Sequence, residues 1–132
     1  MNLDSFNIRY EYKYDAKSRD RWRVLKPDAD GMFRGDCEDY SLSVLYYVVS
    51  RESWLKFWFY LITFQAHLCG CYTKNGGGHA VLRFHNDYID NWTKQWVDRD
   101  HMKGLGHNFW PLYKTTIATT VAFKMLWAKI DP

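Results

Sequence analysis

Gly35-Asp36-Cys37-Glu38-Asp39-Tyr40 sets one cysteine among three carboxylates at the mouth of a long apolar run, and the reading of this stretch decides the fold. Asp36 suits the N-cap of a helix, where its side-chain oxygen accepts an orphan amide of the first turn; Glu38 and Asp39 then complement the positive end of the helix dipole. Cys37 falls at the first helical position. Unpaired amides and the dipole favour a thiolate there and lower a cysteine pKa from its free value of about 8.5, while the neighbouring carboxylates work the other way. Activation therefore requires an imidazole or a cation from elsewhere in the chain. Beyond the motif, Ser41, Val44, Leu45 and Val48 recur at helical spacing, and Leu42 and Val49 widen the stripe, which predicts a largely buried helix.

Working outward, residues 51–53 break the run, and a second helix is expected from 52 to about 61. Upstream, Phe6, Ile8, Tyr10, Tyr12 and Tyr14 alternate with Asn7, Arg9, Glu11 and Lys13, the pattern of a half-buried strand over 6–14. Residues 15–35 hold charges, Pro27 and two glycines without a sustained period and read as a long surface connection. Downstream, 66–73 reads as a strand, Lys74-Asn75-Gly76-Gly77-Gly78 as a loop and 79–84 as a second strand. Asn86-Asp87 reads as a hairpin turn and 88–92 as the returning strand. The alternation of Ile117, Thr119, Val121 and Phe123 predicts a last strand over 115–123. Helix first and antiparallel sheet after make the expected class α+β, with residues 1–132 as a single domain.

Composition narrows the functional classes. At 47% hydrophobic and 19% aromatic, the chain has ample apolar surface for a core, which argues against wholesale disorder. A net charge of +3 without a concentrated basic patch argues against nucleic acid; the nearest approach, Arg19-Asp20-Arg21-Trp22-Arg23, is interrupted by an acid and reads as a solvated face. Three cysteines make no disulfide framework, and Cys69-Gly70-Cys71 is too tight for a zinc knuckle, so a reducing compartment fits. His67, Cys69 and Cys71 share one strand face and read as buried side chains rather than a metal site. No secretory signal opens the chain, and the most apolar window, 54–64, contains Lys56 and falls short of the ~20 residues that span a bilayer. The expectation is a soluble, cytoplasmic protein with no membrane partner.

A cysteine nucleophile needs a base to hold it as thiolate and a third group to orient that base. His79, opening a strand after the glycine loop, and Asp90, on the next strand of the same hairpin, are the candidates. Asp98 stands in reserve as the acid, Asn91 reads as a strand or turn support, and His85, His101 and His107 read as surface or loop residues. Trp22, a lone tryptophan in a polar connection, is either a clamp on the core or a site residue.

Gly-Asp-Cys-Glu-Asp-Tyr at 35–40, His-Ala-Val-Leu at 79–82 and Ile-Asp-Asn-Trp at 89–92 together resemble the three motifs of the bacterial transglutaminase-like cysteine peptidases. The resemblance implies a papain-like core, with the cysteine helix packed on an antiparallel sheet, and a triad of Cys37, His79 and Asp90 that cleaves a protein or peptide through a thioester. It also implies an oxyanion donor beside the Cys37 amide; the Trp22 indole is the candidate, as tryptophan serves in transglutaminases. Family members that process surface adhesins use calcium beside the cysteine motif, which would place Asp36 and Glu38 near a cation. The compact chain looks like a phage-encoded or cytosolic relative. Transfer of the acyl group to an amine, deamidation, and a silent protein-binding module are the alternative functions.

Overall fold

Residues 1–14, 21–73, 77–109 and 118–130 are described by the computed structural model of the protein. Its centre is helix α2, Cys37–Val44, capped by Asp36, whose Oδ1 accepts the Asp39 amide at 3.3 Å. Its turns continue through a π-helical segment, Leu45–Val49. Tyr40, Leu42, Val44 and Leu45 are wholly buried, and each such large apolar side chain stabilises the fold by roughly 1.5–3 kcal/mol. Arg51 and Glu52, both at positive φ (51° and 62°), reverse the chain, and Ser53 caps α3, Trp54–Ile62, by accepting the Lys56 amide.

Strands β3, Ala66–Tyr72, β4, Gly78–Phe84, β5, Asp87–Ile89, and β6, Asn108–Phe109, form a four-stranded antiparallel sheet in the order β5-β4-β3-β6. Pleating sends successive side chains to opposite faces. Leu68 and Leu82 therefore meet the main core with α2, α3 and the N-terminal segment, while Cys71 and Val81 meet Tyr88 and Met102 on the other side. Met102 lies on a short helix, α4, Arg99–Gly104. The main core is rich in rings: Phe6, Phe33 and Tyr40 pack with centroids 5.1 and 5.6 Å from Phe6.

Two expected strands are helices. Over residues 6–14, Asn2 instead caps α1, Leu3–Arg9, accepting the Ser5 amide at 2.8 Å, and only β1, Tyr10–Tyr12, is extended. Leu3, Phe6 and Tyr10 also lie at helical spacing and all pack in the core, whereas Ile8 and Tyr14 of the alternating set are 79% and 74% exposed. Burial chose the helical stripe. β1 then runs parallel to β2, Phe33–Gly35, within the expected 15–35 connection, pairing Tyr10 with Phe33 and Tyr12 with Gly35. At the C-terminal end, the threonine-rich segment expected as a strand over 115–123 is helical from Ala118 onward in α5, Ala118–Ile130; residues 115–117 lie outside the described residues. Ala118, Val121 and Met125, again at helical spacing, rest on the core.

The strand expected over 88–92 ends at Ile89, and Asp90 begins a turn closed by the Lys94 amide donating to its carbonyl at 2.9 Å. Ile89 pairs with Leu82, so Asp90 lies one residue past the paired region, toward the His79 end of β4. The loop at 74–76 lies outside the described residues. Among the described residues, no helix is long and apolar enough to cross a membrane.

Candidate active site

Cys37 comes to the sheet because α2 packs its first turn against the start of β4. The Ala80 amide donates toward its sulfur, and the thiol donates to Glu38 Oε2 at 3.1 Å. Burial, reinforced by the Glu38 charge, pushes the Cys37 thiol far above its ordinary range. Cys37 therefore rests as a thiol, and its use as a nucleophile would require a base to take the proton.

His79 supplies an imidazole in the same cleft. It is 7% exposed, and its Nε2 donates to Asp90 Oδ2 at 2.8 Å. Trp92, two residues beyond Asp90, stacks on the ring at 4.6 Å and an interplanar angle of 28°. With Nε2 committed to the carboxylate, Nδ1 is the nitrogen left for the thiol. Cys37 and His79 line one cavity of about 470 Å³ together with Tyr10, Tyr12, Tyr14, Asp36, Glu38, Asn91 and Trp92.

Asp90 is wholly buried, yet its charge is well met. Oδ1 accepts the amides of Trp92 and Thr93 at 3.2 and 2.7 Å and the Thr93 hydroxyl at 2.9 Å. Burial alone would raise this carboxyl; the bonds from His79, the Thr93 amide and His107 outweigh it and hold the group well below the usual carboxylate range. Ending β5 at Ile89 makes this possible, because the following turn presents its amides to the side chain that opens it, as an Asx turn does.

His107 is the residue the sequence did not disclose. Expected at the surface or in a loop, it lies in a loop but is 2% exposed, and its Nε2 donates to the same Asp90 oxygen at 2.8 Å. Its position follows from the end of α4: Gly106, at φ 91°, turns the chain, and the His107 amide closes the helix on the Met102 carbonyl at 3.2 Å. A glycine stop followed by histidine was the one local signal, and it does not say where the ring goes.

The other candidates sort by position. Asp98 caps α4 by accepting the His101 amide at 2.7 Å and is not part of the cleft. Asn91 is buried and donates to the Tyr10 hydroxyl at 3.4 Å, and Tyr10 in turn donates to the Gly35 carbonyl at 2.9 Å; the β5 turn is thereby tied to the strand that enters α2. Trp22, expected as an oxyanion donor, does not line the cleft. It packs in the core, where Lys124 Nζ stands 5.4 Å over its ring, and borders a different cavity with Arg23, Leu25 and Met125. The clamp reading of Trp22 describes its surroundings.

Two metal readings meet the same geometry. His79, Asp90 and His107 offer donor atoms all within 4.8 Å of one another, close enough to hold an ion. Their contacts are the two 2.8 Å hydrogen bonds just described, and a metal-bound histidine ordinarily hands its other nitrogen to a partner, whereas His107 Nδ1 is buried with none. The hydrogen-bonded arrangement accounts for these side chains better than a metal. Of the Asp36 and Glu38 oxygens expected near calcium, Asp36 Oδ1 caps α2 and Glu38 Oε2 takes the Cys37 thiol, and the two side chains supply fewer than the six to eight oxygens such an ion takes. Burial and the Asp36 charge instead push Glu38 up to about 7 and Asp39 up to about 8. His67 is half-buried, and Cys69 and Cys71 are buried, their thiols pushed by burial up to about 11 and about 12.

No family model, no curated protein and no solved structure matches the chain.

Proposed function

We propose that the protein is a cysteine-dependent hydrolase of the transglutaminase-like, papain-like kind, acting on a protein or peptide carbonyl through Cys37, His79 and Asp90. The observation that carries the reading is one cleft lined by both a helix-start thiol and an imidazole whose far nitrogen is held by a buried carboxylate. The cysteine helix packed against the antiparallel strand that opens with His79 supports the papain-like comparison made from the motifs.

In this mechanism the thiol leaves Glu38, and its proton passes to His79 Nδ1 as the sulfur attacks the carbonyl carbon. Asp90 holds the ring in that tautomer and stabilises the imidazolium. The tetrahedral oxyanion lies against the Cys37 amide at the start of α2, with Asn91 the cleft-lining side-chain amide nearest in kind to a second donor. Collapse of the adduct breaks the C–N bond, and His79 gives its proton to the departing amine. Water, deprotonated by His79, then attacks the thioester, releasing the acid and restoring the thiol. An amine in place of water would make the same acyl-enzyme a transferase, so hydrolysis and transfer share every residue named here.

Alkylation with iodoacetamide at neutral pH tests the assignment. Labelling of Cys37 that is fast, exceeds that of buried Cys69 and Cys71, and collapses in His79→Ala is expected; slow and equal labelling of all three would refute it. Peptide substrates and glutamine-plus-amine pairs, scored for released acid against amine conjugate, then separate hydrolysis from transfer.

A further inference from the structure

The Cys37 side of the cleft carries two carboxylates that, among the described residues, take part in no ion pair. Asp36 is 5% exposed; Oδ1 caps α2, and Oδ2 is buried without a hydrogen-bond partner. Glu38 stands beside it in the same cleft, its Oε2 on the cysteine thiol. No lysine, arginine or histidine among the described residues forms an ion pair with either. Tyr10, Tyr12, Tyr14 and Trp92 line the same cleft, and Lys94, the one lysine or arginine among its described lining residues, stands over the Tyr10 ring at 5.4 Å.

Such a wall is costly as it stands. A buried carboxylate oxygen without a partner forfeits its hydration, and two neighbouring carboxylates repel. One remedy is a proton, and the upward push on Glu38, caused by burial and then by Asp36, favours that remedy. The other is a positive group brought by the ligand. Carboxylates attract it, and ring faces favour a cation over a neutral or anionic group.

We infer that the Asp36–Glu38 wall, with the tyrosines that line the same cleft, is a subsite for a cationic nitrogen group of the substrate, seated beside the carbonyl that Cys37 attacks. The inference rests on the hydrolase reading for the word substrate, but the subsite itself is tested separately. Its chemistry is shared by an arginine side chain, a lysine side chain and a free N-terminal amine.

Methanethiosulfonates that differ only in charge measure it directly. Each transfers its thioalkyl group to the cysteine sulfur, forming a disulfide as methanesulfinate leaves, so the trimethylammonium-ethyl and sulfonato-ethyl reagents compare cation with anion at one atom. Relative to the same pair of rates on 2-mercaptoethanol, the cation preference at Cys37 should be about tenfold greater, as one carboxylate charge shared over Asp36 and Glu38, acting with opposite sign on the two reagents through a partly wet cleft, produces. Glu38→Gln and Asp36→Asn, the latter keeping a good N-cap, should each shrink that preference. Protection of Cys37 from iodoacetamide then identifies the source: acetyl-Gly-Arg-Gly-amide, acetyl-Gly-Lys-Gly-amide and Gly-Gly-Gly-amide are compared with neutral acetyl-Gly-Gly-Gly-amide. A preference no larger than that of 2-mercaptoethanol, or one untouched by both substitutions, overturns the subsite. If instead His79→Ala leaves iodoacetamide labelling unchanged while the charge preference stands, the hydrolase reading falls and the cation site remains.

Discussion

Replacing His107 with leucine separates the two imidazoles that converge on Asp90. The substitution removes a hydrogen bond of 2.8 Å between fully buried partners and puts an apolar side chain in its place. A charge-assisted bond of this kind contributes about 1.5–3 kcal/mol. The loss should stay within that range, because Asp90 keeps His79, two backbone amides and the Thr93 hydroxyl and is not left as a buried unpaired charge. For a domain of 132 residues, this corresponds to a fall in Tm of roughly 6–12 °C. Thermal melts followed by circular dichroism at neutral pH measure it, and iodoacetamide labelling of Cys37 in the folded protein supplies the second readout. Labelling should persist in His107→Leu and collapse in His79→Ala, since only His79 shares the cleft with the thiol. A Tm within about a degree of wild type would show that the bond contributes nothing. Labelling that falls as far as in His79→Ala would show that thiol activation needs both imidazoles and refute their separation.

Gly35→Ala should destabilise the fold by about 1–3 kcal/mol, because a Cβ there would lie 2.7 Å from Leu25 Cδ2 and 2.8 Å from Asp39 Cβ and Oδ2; a urea midpoint equal to wild type would contradict this. Stability should fall as pH rises from about 4 to about 8: Glu38 and Asp39, pushed up to about 7 and about 8, keep protons in the folded state that the unfolded chain has released. Urea midpoints at acidic and mildly alkaline pH should show that slope, and Glu38→Gln with Asp39→Asn should flatten it; an unchanged slope removes the argument. Asp90 acts in the opposite sense, its lowered pKa giving stability that is complete above the ordinary carboxylate range and lost on acidification below it, so Asp90→Asn should lessen the steepness of acid unfolding. Calcium and chelator should leave Cys37 labelling unchanged, and a saturable rise with calcium would restore the ligand reading of Asp36 and Glu38.

The parts of the site legible in the sequence were those encoded by contacts close along the chain. The Asp36 cap and the first-turn position of Cys37 follow from four consecutive residues, and the hairpin that offers His79 and Asp90 follows from turn chemistry and alternation. Periodicity failed where one segment carried two periods. Residues 6–14 satisfy strand alternation, while Leu3, Phe6 and Tyr10 satisfy the helical one, and only the presence of Phe33 and Tyr40 to receive Phe6 selects between them. Ala118, Val121 and Met125 decide α5 in the same way against a threonine-rich alternation.

By itself, then, the sequence determined the α+β class, the capped cysteine helix, the antiparallel pairing downstream of it and the residue types able to run thiol chemistry. Local energies specify these: capping, turn preference and the burial of one face of an element. Only the tertiary structure decided that His107 joins Asp90, that Trp22 packs in the core away from the cleft, and that Asp36 and Glu38 line one cleft with Tyr10, Tyr12, Tyr14 and Trp92. Those outcomes depend on side chains that meet after the chain has folded back over long separations, and on which buried charges find donors there. Neither period nor motif contains that information.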